Sequence, residues 1–98
     1  MAQIHKVKIT VYKKFDCPEL PDYEGGCKKL EVGQEFIVNE DDDPEMPEGF
    51  CTWAWSDIWP VINTLRFGGN FTYSKTEGLM HSACTDGLSP VVFRIERI

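Results

Sequence analysis

The sequence lacks a long apolar run, an apolar segment in its first six residues and an excess of positive charge. No stretch approaches the roughly 18 consecutive apolar residues that a membrane-spanning helix needs, and residues 1–6 contain no apolar segment of the signal-peptide type. The chain has 10 Lys and Arg against 16 Asp and Glu, and its formal charge of -6 would repel phosphate backbones and anionic lipid surfaces. We therefore expect a cytoplasmic domain that binds neither nucleic acid nor a membrane.

Closely spaced cysteines are also lacking. The four cysteines stand at positions 17, 27, 51 and 84, without the Cys-x-x-Cys pair that marks zinc ribbons and ferredoxin-type clusters. In a reducing cytoplasm we expect thiols to be free, metal-bound or catalytic rather than permanently bridged. The spacing alone therefore gives no diagnostic motif.

The apolar content is sufficient for one core. A chain of 98 residues is short for two domains, and 42% of its residues are hydrophobic, including three Trp and six Phe that bury large areas. We expect a single domain that spans residues 1–98.

Hydrophobic periodicity predicts four strands and one main helix. Apolar and polar residues alternate over 4–15 and 91–98, and shorter apolar segments at 33–38 and 79–84 are typical of two further strands. Apolar residues recur at steps of three and four over 52–67, which is the helical period. The order β-β-α-β-β predicts an α+β fold, in which one main helix covers a small antiparallel sheet of about four strands.

The predicted helix has start and stop signals and one anomaly. Thr52 can cap its first turn, and Gly68 and Gly69 can supply the left-handed stop after its last turn. Pro60 has no amide hydrogen for the carbonyl four residues before it. We expect either a kink at Pro60 or a short first helix that ends near Asp57.

Two segments have loop composition. Residues 16–33 are rich in Asp, Pro and Gly and contain Cys17 and Cys27. The acidic run at 40–43 precedes two prolines and lacks the pattern of a calcium-binding loop, so we expect it to be a solvated loop.

The cysteines lie where the elements of a small fold meet. Cys51 immediately precedes the helix, where the unpaired amides and the helix dipole would stabilise a thiolate. Cys84 lies at the turn toward the last strand, and Cys27 lies in the long loop. From the residues alone, three interpretations stay open: a metal or cluster site, a reactive thiol or redox pair, and inert apolar filling of the core.

His81 and Asp86 flank Cys84. On a regular strand, His81 faces away from Cys84, so it is a candidate ligand only if the strand is irregular. Asp86 can accept hydrogen bonds from turn amides or orient a thiol partner.

Three tryptophans stand near the start of the helix. Trp53, Trp55 and Trp59 can line an aromatic pocket or form a buried stripe, and Trp53 and Trp55 are two residues apart, so they point to different faces. One face then contacts the loops or a partner chain, and we expect a homodimer or another protein partner.

Four segments carry a resemblance to a known family. The segments GQEF at 33–36, PEGFCTWAW at 47–55, LRFGGN at 65–70 and CTDGLSPVVF at 84–93 resemble a family of short uncharacterised prokaryotic proteins that are common in anaerobes. The resemblance implies that Cys27, Cys51 and Cys84 act as a set and that Cys17 is an extra cysteine. It also implies that Gly68, Gly69 and Asp86 shape the site.

Our leading hypothesis is a small accessory or binding domain with a soft-metal site. Cys27, Cys51 and Cys84 would hold zinc, iron or an iron–sulfur cluster, and Cys17 or His81 is the candidate fourth ligand.

Two alternatives stand beside it. In a thiol-dependent enzyme or redox protein, Cys51 would be the reactive thiol, Asp86 would orient the reacting groups, and Cys27 or Cys84 would resolve the oxidised thiol. In a structural or interaction module, the cysteines would be buried filler.

Overall fold

The computed structural model describes residues 3–98 and confirms the predicted order of elements. The strands are β1 (Val7–Lys14), β2 (Glu35–Val38), β3 (Leu79–Ala83) and β4 (Val91–Arg97), and the helix α1 (Thr52–Arg66) lies between β2 and β3. Four antiparallel strands form one open sheet, so the α+β class is confirmed.

The strand order in the sheet is β2-β1-β4-β3. The first and last strands of the chain therefore pair at its centre, with Ile9 opposite Ile95. The register of this pair shifts between Val11 and Lys13, which makes Tyr12 an extra residue in a β-bulge.

One face of the sheet forms the core with α1. Alternate residues of the two central strands are buried, and they meet buried residues at steps of three and four along the helix: Val7, Ile9, Val11, Val91, Phe93 and Ile95 from the strands, and Ala54, Ile58, Ile62 and Leu65 from α1. The opposite face is polar, and Lys8 lies 3.5 Å from both Glu35 and Glu96 there. The single helix thus covers one face of the sheet, as the sequence predicted.

The start of α1 differs from the expectation. Cys51, not Thr52, occupies the N-cap position, and no side chain caps the first turn. The helix continues through Pro60, so the alternative of a short helix that ends near Asp57 is wrong. α1 is the single helix among residues 3–98, and it is neither long enough nor apolar enough to cross a membrane.

The end of α1 follows the expectation. Gly68 has φ of 86°, a left-handed conformation that favours glycine, and its amide donates to the Leu65 carbonyl. The Gly69 amide donates to the Thr64 carbonyl at 2.9 Å, which completes a Schellman motif.

A buried arginine at the end of α1 holds the acidic loop. Arg66 is fully buried, and its guanidinium donates to the carbonyls of Asn39 and Asp41 and to the side chain of Asn63. The side chains of Glu40 and Asp41 themselves are exposed, as the composition of the loop predicted.

Candidate functional site

Three of the four cysteines line one cleft. The cleft has a volume of about 450 Å³ and lies among the start of α1, the loop after β1 and the turn between β3 and β4. Cys27 comes from the loop, Cys51 from the helix start and Cys84 from the turn, and each is half-buried against the core. The structure therefore brings together thiols that are far apart in sequence, and we call this feature the thiol cleft.

Backbone hydrogen bonds bring the loop after β1 to the turn between β3 and β4. Beyond the ends of β1 and β4, the Phe15 amide donates to the Pro90 carbonyl and the Cys17 amide donates to the Leu88 carbonyl, each at 2.9 Å. These bonds continue the pairing of the two central strands, and they hold the loop that contains Cys27 next to the turn that contains Cys84.

Ser89 joins the same two segments. Its side chain is 4% exposed, and its hydroxyl donates to the Gly25 carbonyl at 3.3 Å, two residues before Cys27.

Within the loop, partial burial and the neighbouring Asp16 carboxylate raise the pKa of Tyr23 above its ordinary value. Asp16 and Tyr23 thus interact inside the loop that places Cys27.

Cys51 and Cys84 are each placed by an element end. Cys51 is the N-cap residue, and its carbonyl accepts the first helical bond from the Trp55 amide at 2.8 Å. Cys84 follows β3, its amide donates to the Val91 carbonyl, and its Sγ accepts from the Val91 amide at 3.3 Å. Cys51 is therefore placed by the start of α1 and Cys84 by its bonds to the first residue of β4, whereas Cys27 is placed by its loop.

Asp86 stabilises the turn that follows Cys84. Its Oδ1 accepts hydrogen bonds from the amides of Leu88 at 2.9 Å and Ser89 at 3.3 Å. Asp86 also lines the thiol cleft, which keeps it a candidate orienting residue. The turn-forming interpretation of Asp86 is confirmed.

A hydrogen-bonded bridge crosses the mouth of the cleft. Asp57 Oδ2 accepts from the Thr85 amide at 2.7 Å and from the Thr85 hydroxyl at 3.0 Å. Trp53 Nε1 donates to the same hydroxyl at 2.6 Å. We call these three residues the Thr85 bridge, and it links the first two turns of α1 to the turn that carries Cys84. No spacing in the sequence indicates this contact, because its partners are about thirty residues apart.

The two candidate fourth ligands lie outside the cleft wall. His81 pairs with Arg94 in the sheet and packs edge-on against Tyr12 at 5.2 Å, on the face away from α1. Cys17 is half-buried and adjoins the turn through its backbone, but it does not line the thiol cleft. The predicted regular-strand orientation of His81 is confirmed.

The tryptophans divide as their spacing predicted. Trp53 lines the cleft and is 64% exposed, whereas the ring of Trp55 lies tilted against Trp59, with centroids 5.2 Å apart, and packs against Phe50. One tryptophan thus belongs to the site and two belong to the edge of the core.

Gly68 and Gly69 lie at the other end of α1 from Cys51. A helix of 15 residues is about 22 Å long, so these glycines shape the helix end and its neighbouring turn rather than the thiol cleft. The resemblance implied that Gly68, Gly69 and Asp86 shape the site, and of these three residues Asp86 alone lines the cleft.

The thiols are close enough to share a cleft but are not gathered as metal ligands. Among residues 3–98, no group of three or more His, Cys, Asp or Glu side chains has an arrangement that could hold a metal ion, and all four cysteines are unpaired. The cleft is thus a thiol-lined pocket rather than a preassembled coordination sphere.

Comparison with protein-family models, with curated proteins and with solved structures gave no match for this chain.

Proposed function

We propose that the protein is a small binding domain whose thiol cleft holds a soft metal ion or an iron–sulfur cluster. The observation that supports this proposal is that Cys27, Cys51 and Cys84 come from three separate segments and line one cleft. Thiolates are the ligands that zinc, iron and iron–sulfur clusters prefer in proteins. Three half-buried thiols in one pocket are also difficult to explain as apolar filler, since none of them is fully buried.

The donor chemistry fits such a group, but the present spacing of the side chains does not. Binding would therefore require the thiols to draw together, through a shift of the loop with Cys27 or of the turn with Cys84 toward Cys51. Asp86 lines the same cleft, so it or a small molecule would supply a fourth ligand more readily than Cys17 or His81.

Metal analysis of the full chain tests the proposal. The protein is prepared without oxygen or chelator, and its zinc, iron and sulfide contents are measured together with its thermal unfolding. We expect about one ion or one cluster per chain. A ligand at 100 times its Kd stabilises the native state by about 2.7 kcal/mol, which raises Tm by roughly 10–20 °C for a domain of this size.

Single serine variants identify the ligands. We expect Cys27→Ser, Cys51→Ser and Cys84→Ser each to lower the metal content, whereas Cys17→Ser is the matched control because its thiol lies outside the cleft wall. Sub-stoichiometric metal that leaves Tm unchanged would overturn the proposal. Serine variants that fold, assemble and bind as well as the parent would favour the structural or interaction module instead.

The position of Cys51 supports a second candidate function, that of a thiol-dependent enzyme or redox protein. Cys51 is the N-cap of a 15-residue helix with no capping side chain, and it faces the cleft. The unpaired amides of a helix start favour a thiolate, which is the nucleophilic form. This function predicts that Cys51 is alkylated much faster than Cys17 near neutral pH, whereas four equally slow thiols would contradict it.

Homodimerisation stays a prediction. Large apolar side chains are exposed at scattered positions, with Val32 60%, Tyr73 75% and Ile98 58% exposed. Light scattering on the purified chain measures the mass directly, and a mass near the monomer value of 11.2 kDa at all concentrations would contradict the prediction.

A further inference from the structure

The thiol cleft is much larger than a metal ion requires. Its volume of about 450 Å³ lies within the range of roughly 300–1,000 Å³ that is typical of small-molecule sites. One water occupies only about 30 Å³ of liquid volume, so a single ion would leave most of the cleft unfilled.

The wall beyond the thiols is apolar. Leu30, Ala54 and Phe93 lie beneath it as core residues with at most 1% of their surface exposed. The half-buried thiols, the half-buried Leu88 and Trp53 supply the apolar surface that a ligand can reach. Trp53 stands at the mouth with 64% of its surface exposed, where its ring can cover a flat ligand. This wall offers dispersion and apolar burial rather than a set of hydrogen-bonding groups.

Three polar side chains of the wall already make hydrogen bonds within the protein. The Thr85 hydroxyl is shared with Trp53 and Asp57, Asp86 Oδ1 accepts from two turn amides, and the Ser89 hydroxyl donates to a carbonyl of the long loop. A polar ligand would have to compete with these bonds.

The charge of the wall disfavours an anion. Among residues 3–98, no Lys, Arg or His lines the cleft, and Asp86 is the one carboxylate residue in its lining. The chain as a whole carries a formal charge of -6. A phosphate, carboxylate or nucleotide would therefore meet a negative field with no compensating cation.

We infer that the thiol cleft binds a neutral, largely apolar organic molecule of one or two aromatic rings, seated against the thiols and Trp53, above the buried side chains of Leu30, Ala54 and Phe93. The inference rests on the proposed function in one respect, since the organic molecule is the substrate or co-ligand that a thiolate-held metal would meet. The cleft itself does not require the metal for this binding.

A matched pair of probes tests the charge and polarity of the site. 2-Naphthol is neutral at pH 7, and 2-naphthalenesulfonate has the same rings with a permanent negative charge. Calorimetric titrations of the full chain, with and without added zinc, give both affinities. We expect one saturable site for 2-naphthol, with an affinity at least 10-fold higher than that for the sulfonate.

A filling variant tests the location of the site. Gly87 lines the cleft, a Cβ added there meets no atom within 4 Å, and its φ is outside the left-handed region. Gly87→Trp therefore adds a ring beside the cleft on a Cβ that meets no neighbour, and we expect it to weaken 2-naphthol binding at least 10-fold. Thr72→Trp adds the same ring at an exposed position outside the cleft and is the control.

The outcomes separate this inference from the metal proposal. Metal binding without 2-naphthol binding would overturn the inference and leave the proposed function standing. Equal binding of both probes, or binding that Gly87→Trp leaves unchanged, would also overturn it, because it would indicate non-specific adsorption. Binding of 2-naphthol by a chain that takes no metal would support the inference and overturn the metal proposal.

Discussion

The Thr85 bridge should control how often the turn with Cys84 opens. Thr85→Val keeps the shape of the side chain but removes two of the three hydrogen bonds of the bridge, those of 2.6 Å to Trp53 and 3.0 Å to Asp57. A hydrogen bond contributes about 1 kcal/mol net, and the exposure of Thr85 reduces this, so we expect a combined loss of about 1 kcal/mol. Since about 1.4 kcal/mol is a tenfold change, the open population should rise roughly 5-fold.

Site-resolved alkylation measures this opening. The rate of iodoacetamide modification of Cys84, followed by mass spectrometry, should rise roughly 5-fold in Thr85→Val, with Cys17 as the internal reference. The indole Nε1 proton resonance of Trp53 should shift in the same variant, because its acceptor is lost. Thr85→Ser keeps the hydroxyl and should behave as the parent. If Cys84 is alkylated at the same rate in the valine variant, the serine variant and the parent, the bridge does not hold the turn.

Four further substitutions test how the fold is stabilised. Arg66→Met leaves the carbonyls of the acidic loop without their buried donor. It should lower the free energy of unfolding by about 3 kcal/mol and Tm by roughly 10–20 °C. An unchanged Tm would show that water replaces the guanidinium. Gly69→Ala places a Cβ 2.8 Å from the Thr64 side chain and 3.0 Å from its carbonyl oxygen, so it should destabilise by about 1–3 kcal/mol in denaturant unfolding. Gly87→Ala meets no neighbour and should stay within about 0.5 kcal/mol of the parent; equal effects at the two glycines would contradict this reading of their surroundings. Ser89→Ala should cost about 1 kcal/mol, seen as a fall in Tm of roughly 4–8 °C, because the long loop loses a buried hydrogen bond.

Local pattern predicted most of the fold. The alternation around Ile9 and Ile95 and the three- and four-residue steps from Ile58 to Leu65 correspond to buried faces in the structure. Gly68 ends the helix as predicted, because a residue after a helix needs the left-handed conformation that glycine adopts freely. These features depend on neighbours within about four positions, and such neighbours can be read directly from the sequence.

The helix start was predicted less well. Thr52 is a favourable capping residue by type, yet the chain enters the helix one residue earlier, with Cys51 at the N-cap. Pro60 is tolerated inside α1 although it removes one helical hydrogen bond. The packing of Ile58 and Ile62 against the sheet stabilises the helix on both sides of it. Tertiary packing thus outweighed local preference at Pro60.

The sequence by itself determined the type and order of the elements, and tertiary structure decided the site. Which thiols share a cleft depends on how the ends of β1 and β4 pair, since that pairing carries the loop with Cys27 to the turn with Cys84. The Thr85 bridge and the buried Arg66 are likewise contacts between residues about 25 to 32 positions apart. Periodicity reports which face of an element is buried, but strand register and loop path determine which distant side chains meet, and these emerge only when the whole core packs.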